Sequence, residues 1–144
     1  PYHAVDWCRQ QLTLRGYKEL REIDNWTLEA GQKYFFTRNY TTLIAFNVGS
    51  KFDPQQTGFK IIGAHTDSPV LKVNPHSKLT SRGIDQCCVS VYGGGLWHTW
   101  FDRDLILAGR VVYEEEGKYT STLWRSERPL LKIPNLAIHL SSDR

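Results

Sequence analysis

Apolar positions at the start of the chain recur at nearly helical spacing. Val5, Cys8 and Leu12 are separated by three and four residues, which is the spacing of one face of an α-helix, and Leu14 follows close to that face. Gly16 follows at the point where a helix would end, because glycine accepts the left-handed conformation of many C-caps. The pattern predicts one helix near the start of the chain.

The pattern then changes to runs that are typical of β-strands. An aromatic run, 33–38, and the β-branched and apolar run TTLIAFNVG flank Asn39-Tyr40, and together they predict a hairpin. The run FKIIGAH, 59–65, predicts a buried strand, and LKV after Pro69 predicts another. The first half therefore reads as part of an α/β domain.

The second half is predicted to be mostly β. The polar stretch 74–86 favours a linker or exposed loop, and CCVSVYGGG favours a strand that ends in glycines. Two further apolar runs flank Gly117-Lys118 and predict a hairpin, and the final run through His139 predicts extended chain. These predictions place a change of architecture near residue 74.

Composition narrows the classes of partner. Hydrophobic residues make up 40% of the 144 and charged residues 23%, which is typical of globular chains. The formal net charge is +3 and the basic residues are dispersed, so we expect no nucleic-acid partner. No apolar run approaches the roughly 20 residues that span a bilayer, so we expect no membrane partner.

Three cysteines, Cys8, Cys87 and Cys88, favour a reducing, cytoplasmic compartment, because the count is odd and adjacent cysteines in a strand rarely bridge. The chain contains no Met and ends within an apolar run, which we interpret as an internal fragment of a longer protein. A cysteine nucleophile at position 87 or 88 is possible in principle. Both thiols lie in a predicted strand, where inert buried thiols are usual.

The segment GAHTDSP contains the most specific candidate for a functional site. His65 follows a predicted strand and two small residues, and Asp67 lies two positions later. A neutral imidazole can bind a metal, and a nearby carboxylate can fix its orientation. The alternative is an ordinary strand followed by a turn, and the two-residue motif alone favours that alternative. His139 alternates with apolar residues and by its pattern is an ordinary strand histidine.

Three longer motifs change the interpretation of the segment that contains His65. The stretches IIGAHTDSPVLKV, VYGGGLWHTWFDRDLILAGRV and ERPLLKIPNLAIHL occur in this order, and together with upstream segments they resemble the aspartyl aminopeptidases of the M18 family of metallopeptidases. The resemblance covers essentially the whole chain. It implies an α/β fold: part of a di-zinc aminopeptidase catalytic domain in residues 1–74, followed by the beginning of a β-rich inserted dimerisation domain in residues 75–144.

The resemblance also implies a function and site residues. We expect a cytoplasmic enzyme that releases N-terminal Asp or Glu from peptides, using two zinc ions in a homo-oligomer, a dodecamer by family analogy. His65 would bind zinc, Asp67 would support catalysis by orienting the ligand and the attacking water, and His139 would contact substrate in a neighbouring subunit. The remaining ligands lie beyond Arg144 in the family, so this chain alone is expected to be inactive. The open alternative is a non-catalytic, β-rich oligomerisation or interaction module.

Overall fold

The computed structural model describes residues 1–140. The chain divides into two compact units. One comprises residues 1–67 and 109–123, and the other comprises 68–108 and the residues from 124 onward. The predicted boundary between a catalytic and an inserted domain at residue 74 concerns the whole protein and stays a prediction.

Helix α1, Tyr2–Leu14, confirms the helix predicted from the spacing of the apolar positions. It ends where Gly16 takes a φ of 80°, a left-handed conformation that suits glycine because it has no Cβ. Val5 on this helix is completely buried. The helix packs against the sheet of the first unit, and Val5 belongs to the small core of that unit.

That sheet has three strands, β1 (Lys18–Glu19), β2 (Lys33–Arg38) and β3 (Thr42–Asn47). β1 pairs with β2 in parallel, and β2 pairs with β3 as the predicted hairpin, in register from Lys33 opposite Asn47 to Arg38 opposite Thr42. The two turn residues between β2 and β3 have φ values of 51° and 55°. β2 is the central strand and supplies the buried aromatic residues, so the core of this unit forms around it.

Aromatic side chains complete the core of the first unit. Phe35 is fully buried and Tyr34 is 2% exposed. The ring of Tyr34 lies 5.7 Å from that of Phe46, and its hydroxyl accepts a hydrogen bond from the backbone N–H of Glu29. Trp26 packs on Phe36 with ring centroids 5.0 Å apart. These tilted ring pairs are a favourable aromatic arrangement.

The second unit begins with a long antiparallel hairpin formed by β4 (Val70–Ser81) and β5 (Ile84–Tyr92). The prediction of a linker at 74–86 is therefore wrong, whereas the strands at LKV and CCVSVY are confirmed. The stretch is polar because much of the hairpin is exposed on both faces, so burial does not impose an apolar pattern. Arg82 and Gly83, with φ values of 52° and 75°, form the turn.

The rest of the chain is built from short pairings and one further hairpin. β6 (Asp104–Leu105) follows a 3₁₀ turn at Trp97–Trp100, and it pairs with β9 (Leu131–Lys132). β7 (Ala108–Glu115) and β8 (Lys118–Arg125) form the hairpin predicted around Gly117-Lys118. Buried Ser126 accepts a hydrogen bond from the Leu107 N–H at its hydroxyl oxygen.

The predicted buried strand at 59–65 is wrong for the described residues. Residues 58–69 form no strand, and Phe59, Ile61 and Ile62 are 82%, 87% and 99% exposed. A strand requires a neighbour for its backbone hydrogen bonds, and none of β1–β9 pairs with this run. Within residues 1–140, no helix is long and apolar enough to cross a membrane.

Candidate metal-binding loop

His65 and Asp67 lie in the irregular segment 58–69, which follows the first unit's hairpin and leads to β4. The His65 side chain is 83% exposed. A Cβ added at Gly63 would meet no atom within 4 Å among the described residues, so nothing there crowds the approach to His65.

The structure brings His65 and Asp67 together through the backbone. The Nδ1 atom of His65 lies 2.8 Å from the carbonyl oxygen of Asp67. Because a carbonyl oxygen can only accept, Nδ1 must carry the proton of this hydrogen bond. In the neutral ring, Nε2 is then the nitrogen with the free lone pair, which is the form that binds metals.

The carboxylate of Asp67 contacts the same nitrogen. Its Oδ1 atom lies 3.3 Å from His65 Nδ1, and the side chain is 33% exposed. The imidazole is thus oriented by two oxygens of one residue, a neutral carbonyl and a carboxylate. This arrangement fits the predicted role of Asp67 as an orienting group, although the role itself stays a prediction.

Thr66 attaches this loop to the first unit's hairpin, a contact that the sequence analysis missed. Its hydroxyl donates to the carbonyl oxygen of Thr41, at 3.2 Å. The two residues are 25 positions apart, so no local pattern in the sequence could have indicated the contact.

His139 lies in a 3₁₀ turn, Ile138–Leu140, in the second unit. The prediction of an extended strand at this position is therefore wrong. The turn is closed by a hydrogen bond from the Leu140 N–H to the carbonyl oxygen of Ala137. His139 is exposed, and Leu136, Ile138 and Leu140 around it are 66–73% exposed. The structure does not test whether this histidine contacts substrate.

A charged cleft of about 590 Å³ in the first unit is lined by residues that include Arg9, Glu19 and Glu22. Arg9 donates to both carboxylate oxygens of Glu19, and this hydrogen bonding raises the pKa of the Arg9 guanidinium. Arg38 donates to Glu22, which lowers the pKa of that carboxyl group. Arg9, Glu19 and Glu22 on the wall of the cleft are therefore already engaged in ion pairs, and we interpret the cleft as a structural feature and not as the candidate site.

The described part of this loop contains one side chain that is suited to bind zinc, the imidazole of His65. An exposed imidazole with a free Nε2 is a suitable donor for zinc. Within residues 1–140, however, no group of three or more His, Cys, Asp or Glu side chains is placed to hold a metal ion. The loop can therefore supply at most part of a metal centre, and any further ligands would have to come from outside the described residues.

The family is decided by a match over the whole chain. Residues 1–144 match the family model of the M18 peptidases, described as aminopeptidase I zinc metalloprotease. The chain belongs to the M18 peptidase family. The resemblance proposed from the three long motifs is thereby confirmed.

Curated relatives carry names that fit this family. The chain is 49% identical over 146 residues to a probable aspartyl aminopeptidase of Ricinus communis, covering 99% of this chain. It is 50% identical over 141 residues to an aspartyl aminopeptidase of Dictyostelium discoideum, covering 97% of this chain. The chain spans only 30% and 29% of the length of these two relatives.

Solved structures agree with the fold. The chain is similar to a chain in the structure of the Ape4 and Nbr1 complex, with a TM-score of 0.89 and 48% identity. That match covers 97% of this chain and 27% of the other. The mApe1 dodecamer of S. cerevisiae is also similar, with a TM-score of 0.81 and 35% identity, covering 96% of this chain and 33% of that one. The fold of these residues is thus that of M18 aminopeptidases, whereas the predicted inserted dimerisation domain remains a prediction.

Proposed function

We propose that the complete protein is a zinc-dependent aminopeptidase that releases N-terminal Asp or Glu from peptides. The observation that carries the proposal is His65, whose Nδ1 is held by Asp67 and whose Nε2 is left free, in a chain of the M18 family. The names of the relatives in Ricinus communis and Dictyostelium discoideum support the acidic specificity.

Each site residue has a distinct role in this proposal. His65 binds zinc through Nε2, and Asp67 fixes the orientation of its ring. Two zinc ions are held per subunit in the complete protein, with the remaining ligands supplied outside residues 1–140. Zinc, when bound, polarises the scissile carbonyl and lowers the pKa of a water molecule toward neutrality.

His139 is proposed to contact substrate at the active site of a neighbouring subunit in a homo-oligomer. Its exposure, together with that of the apolar residues around it, supports a contact with something outside this chain. The dodecamer named for the S. cerevisiae relative supports a dodecamer here. Sedimentation velocity of the complete protein would test this assembly, and a monomer at micromolar concentration would contradict it.

We also propose that the protein works in the cytoplasm. Cys8, Cys87 and Cys88 are all free in the structure, which suits a reducing compartment. Fractionation of cells that express the tagged complete protein tests this, and recovery in a secreted or membrane fraction would contradict it.

The deciding experiment measures zinc content and hydrolysis of aspartyl, glutamyl and alanyl p-nitroanilides by the complete protein. His65→Ala is compared with His76→Ala, a matched change at an exposed histidine of β4. We expect His65→Ala to lose zinc and at least about 100-fold in kcat/KM, whereas His76→Ala retains both. A protein that binds no zinc and hydrolyses none of the substrates would instead favour the non-catalytic interaction module.

A further inference from the structure

The position of the His65 loop is set by hydrogen bonds more than by packing. Residues 58–69 form no regular structure, and the side chains just before His65 are largely exposed. The contact between His65 and Asp67 fixes the ring relative to its own loop, because both partners lie within three residues. It cannot fix the loop relative to the rest of the unit.

Thr66 supplies that connection. It lies between His65 and Asp67, and its hydroxyl donates across 25 residues to the Thr41 carbonyl oxygen. A bond at this central position restrains both neighbours together, because each is one peptide unit away.

The acceptor of this hydrogen bond, the Thr41 carbonyl oxygen, lies in the turn between β2 and β3. Thr41 closes the β2–β3 turn, where its N–H donates to the Arg38 carbonyl oxygen at 3.1 Å. Pairing of β2 with β3 starts at the next residue, Thr42, opposite Arg38. The same strand β2 carries fully buried Phe35, so the turn is held by the core of the unit.

We propose that Thr66 is a positioning residue, whose hydroxyl holds the metal-binding loop on the β2–β3 turn and so presents His65 to zinc. This inference rests on the proposed function. Thr66 itself is not proposed to bind metal or substrate. It affects zinc affinity only by holding His65 and Asp67 in place. Without this hydrogen bond, zinc binding would have to order the loop at an entropic cost.

The test compares three forms of the complete protein: the natural sequence, Thr66→Val and Thr66→Ser. Valine keeps the branched shape but cannot donate, whereas serine keeps the hydroxyl. Zinc affinity is measured by competition with a chromophoric chelator, and amide exchange of residues 63–67 is measured in the metal-free protein. kcat and KM are determined at saturating zinc.

We expect Thr66→Val to weaken zinc binding by about 10-fold, within the range found for groups that support metal ligands. Amide exchange in 63–67 should accelerate in the same variant. Thr66→Ser should stay within about 3-fold of the natural protein in zinc affinity, because it keeps the donor. At saturating zinc, kcat should recover in Thr66→Val, since the hydroxyl takes no part in the reaction.

Three results would overturn the inference. Equal zinc affinity in Thr66→Val and the natural protein would show that the hydrogen bond from Thr66 to Thr41 does not contribute to zinc binding. Equal weakening in Thr66→Val and Thr66→Ser would show that the shape of the side chain matters instead of the hydroxyl. A Thr66→Val protein that does not fold would assign the bond to general stability.

Failure of the proposed function gives a different result. In that case the natural protein would bind no zinc, or His65→Ala would bind it as well as the natural protein does. If zinc binding depends on His65 but not on Thr66, only the present inference fails.

Discussion

The Nδ1 atom of His65 donates a hydrogen bond to the backbone carbonyl oxygen of Asp67, 2.8 Å away. Because the acceptor belongs to the backbone, substitution of the Asp67 side chain leaves it in place. The tautomer of His65 therefore does not depend on the carboxylate alone, although that carboxylate lies 3.3 Å from the same nitrogen. A substitution of the Asp67 side chain can therefore distinguish the role of its carboxylate from the role of its backbone carbonyl.

Asp67→Asn in the complete protein should separate orientation of the ring from catalysis. The carbonyl still accepts from His65, so we expect zinc affinity to fall by no more than about 10-fold. If the carboxylate supports the reaction itself, kcat of the zinc-loaded protein should fall by about 100-fold or more. Chelator competition and steady-state kinetics measure the two quantities. Loss of zinc binding with an unchanged kcat in the loaded protein would assign Asp67 to metal binding alone.

Phe35→Ala should be among the most destabilising changes in the first unit. Phe35 is fully buried in the central strand, and removing such a ring costs about 3–5 kcal/mol in transfer and cavity terms. Leu14→Ala is the control, because Leu14 is 78% exposed and should change the free energy of unfolding by about 0.5 kcal/mol or less. Urea denaturation of the complete protein measures both. Similar losses in the two variants would contradict the assigned core.

Two glycine substitutions should change stability in opposite directions. Gly83 has a φ of 75° in the β4–β5 turn, so alanine there should cost about 1–2 kcal/mol. Gly109 in β7 has no positive φ, and alanine there should stabilise by about 0.5–1 kcal/mol through lower entropy of the unfolded chain. A Cβ at either site meets no atom within 4 Å among the described residues, so sterics do not separate the two. Thermal unfolding distinguishes the variants, and shifts of the same sign would contradict the backbone argument.

The ion pair of Glu22 and Arg38 should give a small stability contribution that disappears in acid. Hydrogen bonding from Arg38 lowers the pKa of Glu22 below its ordinary 4.5. A carboxyl group with a lowered folded-state pKa contributes stability above its unfolded pKa, and the contribution is lost as pH falls through the folded pKa. The Tm of the natural protein should therefore exceed that of Glu22→Gln at pH 7, and the difference should vanish well below pH 4.5.

Glu115→Gln on the exposed β7–β8 hairpin is the control for this titration, since it removes the same charge elsewhere. Added salt at about 1 M should reduce the Glu22 effect, because the pair is exposed to solvent. A Tm difference that grows toward acid pH would contradict the assigned pair.

Local chemistry in the sequence was enough to predict several elements. The spacing of Val5, Cys8 and Leu12 predicted α1, and Gly16 predicted its end. The two hairpins with turns at 39–40 and 117–118 were predicted from β-branched runs around turn residues. Each of these elements depends on contacts or conformations a few residues apart, which is the range that a sequence pattern records.

The sequence by itself also determined the family, because three long motifs occur in the right order, and it identified His65 as the candidate zinc ligand. Tertiary structure decided the rest. It showed that 74–86 is a hairpin, that 59–65 has no strand partner within residues 1–140, and that Thr66 reaches Thr41. Strand pairing and contacts between residues far apart in the chain depend on which surfaces meet, and the pattern of residues along one segment does not contain that information.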